Sequence, residues 1–129
     1  MDEDTGKGMG KKVLVGVSDL FFQAKIAETA KHLGVDLVFA RNFDLVMERV
    51  AAEPPALLIL DLNSDPCKPL EVLARLKADP ARQGVPVLAF LSHVQTELKQ
   101  QAAAAGCDRI LPRSTFSATL PEILAPYAR

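Results

Sequence analysis

Residues 56–66 read ALLILDLNSDP, an apolar run closed by a single carboxylate, Asp61. The run lacks the polar alternation of a half-exposed strand and fits a strand covered on both faces, as in a parallel sheet between helices. Working outward, Val13 to Val17 forms another short β-branched run. After it, Phe22, Ile26, Ala30 and Leu33 recur at helical spacing, and Gly34 follows as a C-terminal cap. VDLVFA (35–40) reads as a strand, and FDLVMERVAA (43–52) as a helix stopped by Pro54 and Pro55.

Downstream of Asp61 the same alternation continues. LEVLARLKA (70–78) is amphipathic through Leu70, Leu73 and Leu76, and Asp79-Pro80 ends it. VPVLAFL (85–91) reads as a strand, TELKQQAAAA (96–105) as a helix closed by Gly106, and RILP (109–112) as a short strand. ATLPEILAPYA (118–128) reads as the last helix, with Pro121 expected in its first turn. Five strands alternating with five helices predict an α/β doubly wound five-stranded parallel sheet. The order 2-1-3-4-5 is the common one at this length, and its crevice lies where strands one and three end. Asp61 stands at that place.

The 129 residues fit one domain, taken as 11–129 behind a mobile tail at 1–10, and 49% of them are hydrophobic, enough for a core without staples. Fifteen basic against sixteen acidic residues give a net charge of -1, so neither nucleic acid nor an anionic membrane is expected as the main partner. No apolar run approaches the roughly 20 residues of a membrane-spanning helix, and the charged N-terminus is unlike a signal peptide. A cytoplasmic protein is expected. Cys67 and Cys107 allow one disulfide, but two reduced thiols are the expectation. His32 and His93 are too scattered for a zinc site. GKGMGKK (6–12) imitates a phosphate-binding loop, but the strand follows it and Lys12 stands where Ser or Thr is needed.

Three segments, PALLILDLN (55–63), LEVLARLKADPARQGVPVLAFLSH (70–93) and LKQQAAAAGCDRILPRS (98–114), resemble in order and spacing the receiver domains of two-component response regulators. The resemblance spans roughly residues 11–128 and implies a flavodoxin-like (βα)5 fold. It places Asp61 at the phospho-acceptor position, with Ser92 and Arg113 at the positions that contact the phosphoryl group. Ile110 takes the switch position, where the family usually has an aromatic residue. Val17 and Ser18 occupy the acid pair that would hold Mg2+, with Asp19 one place late, and Asn63 would supply the completing carbonyl. The family's usual Pro and Gly after the acceptor are Asp65 and Pro69 here, and His93 stands where a small residue is usual.

These departures carry a physical expectation. Phosphoryl transfer to a carboxylate needs cationic stabilisation, and Mg2+ is held by carboxylates in octahedral oxygen coordination. Valine offers no ligand atom and serine only a neutral one. Without the acid pair, Asp61 is expected to behave as a more ordinary carboxylate, and Arg113 to form a bidentate ion pair with it. Ser92 and Gln95 could instead form a capping box, and Ser18 or Asp19 could cap the first helix. The expected function is a degenerate receiver acting through protein contacts, with no enzymatic activity and no cofactor. The alternative is an active phospho-accepting receiver of a phosphorelay, with Mg2+ on Asp61, Asp19 and Asn63. A small flavodoxin-like enzyme or ligand-binding protein ranks last, for want of a nucleophile–base pair. The expected partner is a histidine kinase, a phosphotransfer protein or an effector. It would dock on the face formed by helix four, strand five and helix five, including Lys99, Arg109 and residues near Phe116 and Tyr127. The chain itself is expected as a monomer or homodimer. With no effector segment read after Arg129, output is expected to pass to a separate protein, or the chain to be part of a larger one.

Overall fold

The computed structural model describes residues 12–92 and 95–129; the N-terminal tail and His93 lie outside the described residues. Strands β1 (Val13–Gly16), β3 (Leu57–Asp61) and β4 (Val87–Leu91) are buried along their whole length, as their continuous apolar sequence requires. Strands β2 (Leu37–Ala40) and β5 (Arg109–Pro112) lie at the edges and are only partly covered. All four pairings are parallel and the order is β2-β1-β3-β4-β5. Between the strands run helices α1 (Leu20–Leu33), α2 (Phe43–Ala52), α3 (Pro69–Ala78) and α4 (Thr96–Ala104), and α5 (Arg113–Leu124) follows β5. Both the fold class and the strand order match the sequence expectation.

Alternating side chains of the sheet feed two cores. Val13, Val15, Ile59 and Phe90 pack with Phe22 and Ile26 of α1 and Phe116 and Leu120 of α5. Leu14, Leu58, Leu60 and Ala89 pack with Val46 of α2, Leu73 of α3 and Ala102 of α4. Gly16 is small for a packing reason: a methyl there would stand 3.0 Å from Leu60 Cδ2 and 3.2 Å from Val46 Cγ2. Gly16→Ala is expected to cost about 1.5 kcal/mol, overpacking outweighing the usual gain of Ala over Gly in a strand. The urea midpoint of the variant measures it.

Several boundaries differ from expectation. β2 begins at Leu37, because Val35 instead bonds back to Ala30 and bridges Ala128. β4 begins at Val87, since Pro86 has no N–H to give, though its carbonyl accepts from Leu58. The last helix begins at Arg113, so Pro121 lies well inside it and not in its first turn. The stripe Phe116, Leu120, Ile123 and Leu124 is buried on the sheet, and that burial outweighs one missing backbone bond near the helix end. Gly34 caps α1 in the left-handed region as expected, with φ 73°. Both cysteines are free, Cys67 buried and Cys107 half-buried. Burial pushes both thiols above their ordinary value. Among the described residues no helix is long and apolar enough to cross a membrane.

Candidate functional site

The order β2-β1-β3 reverses the direction of winding beside β3, which opens a crevice at the carboxyl ends of the strands. Asp61 is the last residue of β3 and is only 4% exposed. Its Oδ1 accepts from the Asn63 N–H at 2.9 Å, and its Oδ2 lies 3.4 Å from the Arg113 guanidinium. Arg113 opens α5 directly after β5, so the chain delivers its side chain across the same end of the sheet. The second terminal nitrogen of the guanidinium faces Asp19 Oδ2 at 3.8 Å. Asp19 divides its oxygens: Oδ1 caps α1 by accepting from the Phe21 and Phe22 N–H groups at 2.9 and 3.2 Å.

Arg113 also has a floor. Its guanidinium carbon sits 4.4 Å from the Phe22 ring centroid and 5.6 Å from that of Phe90, a favourable placement of a planar cation over aromatic faces. The expected Arg113–Asp61 ion pair is present, but its bidentate form is not. The guanidinium is shared between two carboxylates, because Asp19 is close enough to compete for it. The cap at Asp19 was one of the alternatives open in the sequence. That the same carboxylate reaches the pocket was the premise of the active-receiver alternative; that it meets Arg113 there was not legible in the sequence.

The acid-pair positions have been given other work. Val17 is fully buried in the core with Phe22, and the Ser18 hydroxyl pairs with the buried Ser64 hydroxyl at 2.7 Å. Asn63 stitches two loops: its Oδ1 accepts from the Ser92 N–H and its Nδ2 donates to Gln95 Oε1, at 2.6 and 2.8 Å. Gln95 is itself the N-cap of α4, without a side-chain cap bond, so Ser92 is not the N-cap that the alternative capping-box reading would have made it. Ile110, at the expected switch position, is half-buried against the second core. Among the described residues no three His, Cys, Asp or Glu side chains gather as a metal site. The two pocket carboxylates face a guanidinium, the valine has no donor atom and the serine is already bonded. These residues do not fit Mg2+.

Burial raises the Asp61 carboxyl above its ordinary value; the Asn63 N–H and the Arg113 charge pull it down less, and Asp19 adds to the rise. The expectation of a more ordinary carboxylate is therefore corrected. Loss of the acid pair does not relax Asp61, since desolvation alone holds it up and Asp19 still contributes like charge.

Asp19→Asn retains an oxygen for the α1 cap and removes the charge facing Arg113, whereas Asp19→Ala removes both. The alanine variant is expected to lose about 1 kcal/mol more than the asparagine variant, the usual worth of an N-cap. Urea denaturation of the two proteins side by side gives the difference.

The expected partner face was drawn through Lys99, Arg109 and residues near Phe116 and Tyr127. Phe116 is fully buried, 4.5 Å from the Phe90 ring centroid, and cannot touch a partner. Lys99 and Arg109 are exposed, and Tyr127 is partly buried against the core. Among the described residues the exposed large hydrophobics are Leu20 and Phe21, at the start of α1 beside the pocket.

No protein-family model matches the chain, and no curated protein matches its sequence. Solved structures do match. The response regulator from Hahella chejuensis superposes with a TM-score of 0.81 at 22% identity, over 91% of this chain and 94% of that one. The phosphorylated cyanobacterial phytochrome response regulator RcpA gives 0.75 at 21% identity, over 90% and 89%. The Mn2+-bound form of the response regulator Rcp1 gives 0.73 at 20% identity, over 90% of each chain. These likenesses establish the receiver fold.

Proposed function

We propose that this chain is an atypical receiver-like signalling module that works through protein contacts, its acceptor pocket held by Arg113 and not switched by Mg2+-dependent phosphorylation of Asp61. One observation carries the reading: the cation facing both pocket carboxylates is a guanidinium, 3.4 Å from Asp61 and 3.8 Å from Asp19. A guanidinium neutralises the two acids without offering the open coordination positions through which a divalent cation polarises a phosphoryl group. The buried Val17 and the Ser18–Ser64 pair support the same view. The partner is a cytoplasmic signalling protein, a histidine kinase, a phosphotransfer protein or an effector. It docks on the side of Lys99 and Arg109 or against the exposed Leu20–Phe21 pair.

A second reading, an active phospho-acceptor, has one observation in its favour: Asp19 Oδ2 is turned into the pocket. Incubation with Mg2+ and acetyl phosphate, followed by intact-mass measurement, separates the two. The proposed function predicts an unmodified protein. A Mg2+-dependent phosphoryl adduct that disappears in Asp61→Asn establishes the second reading in its place.

A further inference from the structure

Beside the acceptor pocket, α1 and α5 form the walls of an open groove of about 620 Å3. Phe22 and Lys25 line it from one helix at a three-residue interval, Ser114 and Ser117 from the other, with Ser92 and Arg113 also in its lining. Among the described residues the lining holds two cations and three hydroxyls, and no carboxylate. Asp61 and Asp19, which face Arg113, are not among its lining residues. The terminal nitrogens of Arg113 point at those acids, while its Nε is buried and makes no hydrogen bond among the described residues. The Nε edge of a guanidinium is one of its two-pronged faces for an oxyanion. Because Nε is buried, an anion in the groove engages it only as the side chain turns outward, which draws the terminal nitrogens away from Asp61.

We infer that this groove is a binding site for a phosphate-type oxyanion, held noncovalently by Lys25, Arg113, Ser114 and Ser117, and that its occupation releases Arg113 from Asp61. The inference rests on the proposed function in one respect, the Arg113–Asp61 pairing that the anion competes with. It adds a control that needs no chemistry at Asp61: a ligand in the groove exchanges one partner of Arg113 for another. Inorganic phosphate supplies the minimal chemistry. An organic phosphomonoester would add contact with the Phe22 wall.

The test is an NMR titration of the full chain with inorganic phosphate at constant ionic strength, then with phenyl phosphate, following backbone amides and the Arg113 Nε–H. Saturable shifts are expected at Ser114, Ser117 and Arg113 Nε. Lys25→Ala is expected to weaken binding severalfold, and Asp61→Asn to tighten it severalfold by removing the competitor. Tighter binding of phenyl phosphate than of inorganic phosphate assigns the site to organic monoesters, and equal binding assigns it to the free anion. Absence of saturation, or affinity indifferent to Asp61→Asn, overturns the inference. The two failures are distinguishable without ligand. If Asp61→Asn alone moves the Arg113 Nε–H but phosphate does not bind, the groove inference falls and the pairing stands. If Asp61→Asn leaves that resonance unmoved, the pairing itself is wrong.

Discussion

Replacing Phe90 by alanine is expected to remove about 4 kcal/mol of folding stability, the largest loss from any single change considered for this chain. Phe90 is fully buried in the interior strand β4, with ring centroids of Phe116 and Phe22 at 4.5 and 5.1 Å. Alanine would leave a cavity between the sheet and two helices and would also remove the aromatic pair energy. The change reaches the pocket as well, since Phe90 lies under the Arg113 guanidinium. Urea denaturation measures the loss. Should the alanine variant fail to fold, Phe90→Leu keeps most of the volume and is expected to cost about 1 to 1.5 kcal/mol. A loss below about 1.5 kcal/mol for the alanine variant would mean that the three rings are not packed as described.

The second large effect comes from the ion pair, and its two halves are expected to respond with opposite sign. Arg113→Met leaves Asp61 buried with no cation beside it and Asp19 still near. Removing one partner of a fully buried pair costs roughly 3–5 kcal/mol; with the Arg113 side chain 32% exposed, about 2 kcal/mol is expected at neutral pH. Asp61→Asn goes the other way. Burial outweighs the partners of Asp61 and raises its carboxyl, so the ionised form is a net cost to the fold. The amide retains an acceptor for the Asn63 N–H, and Arg113 keeps Asp19 and water. A gain on the order of 1 kcal/mol at neutral pH is expected, the scale of one hydrogen bond.

The pH dependence follows from the direction of that shift. The folded value of Asp61 lies above the unfolded one, so the folded protein takes up the proton first as pH falls. The stabilisation from this group is fully present below the unfolded carboxylate value and is lost as pH rises through the folded value. The advantage of Asp61→Asn over the wild type is therefore expected to shrink toward acid pH and to reach its full size near neutrality. Denaturation midpoints of the two proteins across that interval check the sign. An advantage that grows toward acid would mean that Arg113 and Asn63 outweigh desolvation.

The fold was legible because the decisive strands, Leu57–Asp61 and Val87–Leu91, are buried throughout and therefore apolar throughout. Asp61 at a strand end and Arg113 after β5 were legible for the same reason: strand ends are fixed by the apolar runs, and a parallel sheet brings those ends together. The start of α5 was not, because Pro121 is a strong local signal and the burial of Phe116 is a tertiary one. The Asn63–Gln95 and Ser18–Ser64 bonds join residues 32 and 46 apart in the chain, and no local pattern marks either. Phe22 was visible as a core position on an amphipathic helix. Its second role, as the shelf for Arg113, depends on where α5 begins and appears only once the helices are placed. The same holds for Asp19, whose capping role is a local signature and whose contact with Arg113 spans the crevice.

On the proposed function, the central claim is that the Arg113 guanidinium takes the place of a divalent cation beside the two pocket carboxylates without offering the open coordination positions that phosphoryl transfer needs. An amide NMR titration of the full chain with Mg2+, followed by beryllofluoride as a mimic of the aspartyl phosphate, addresses that claim most directly. The resonances of Asp61, Ser92 and Arg113 are expected to ignore both additions. Mg2+-dependent shifts at those three residues, strengthened by beryllofluoride, would contradict it and make Asp19 and Asp61 the ligands of a working metal site.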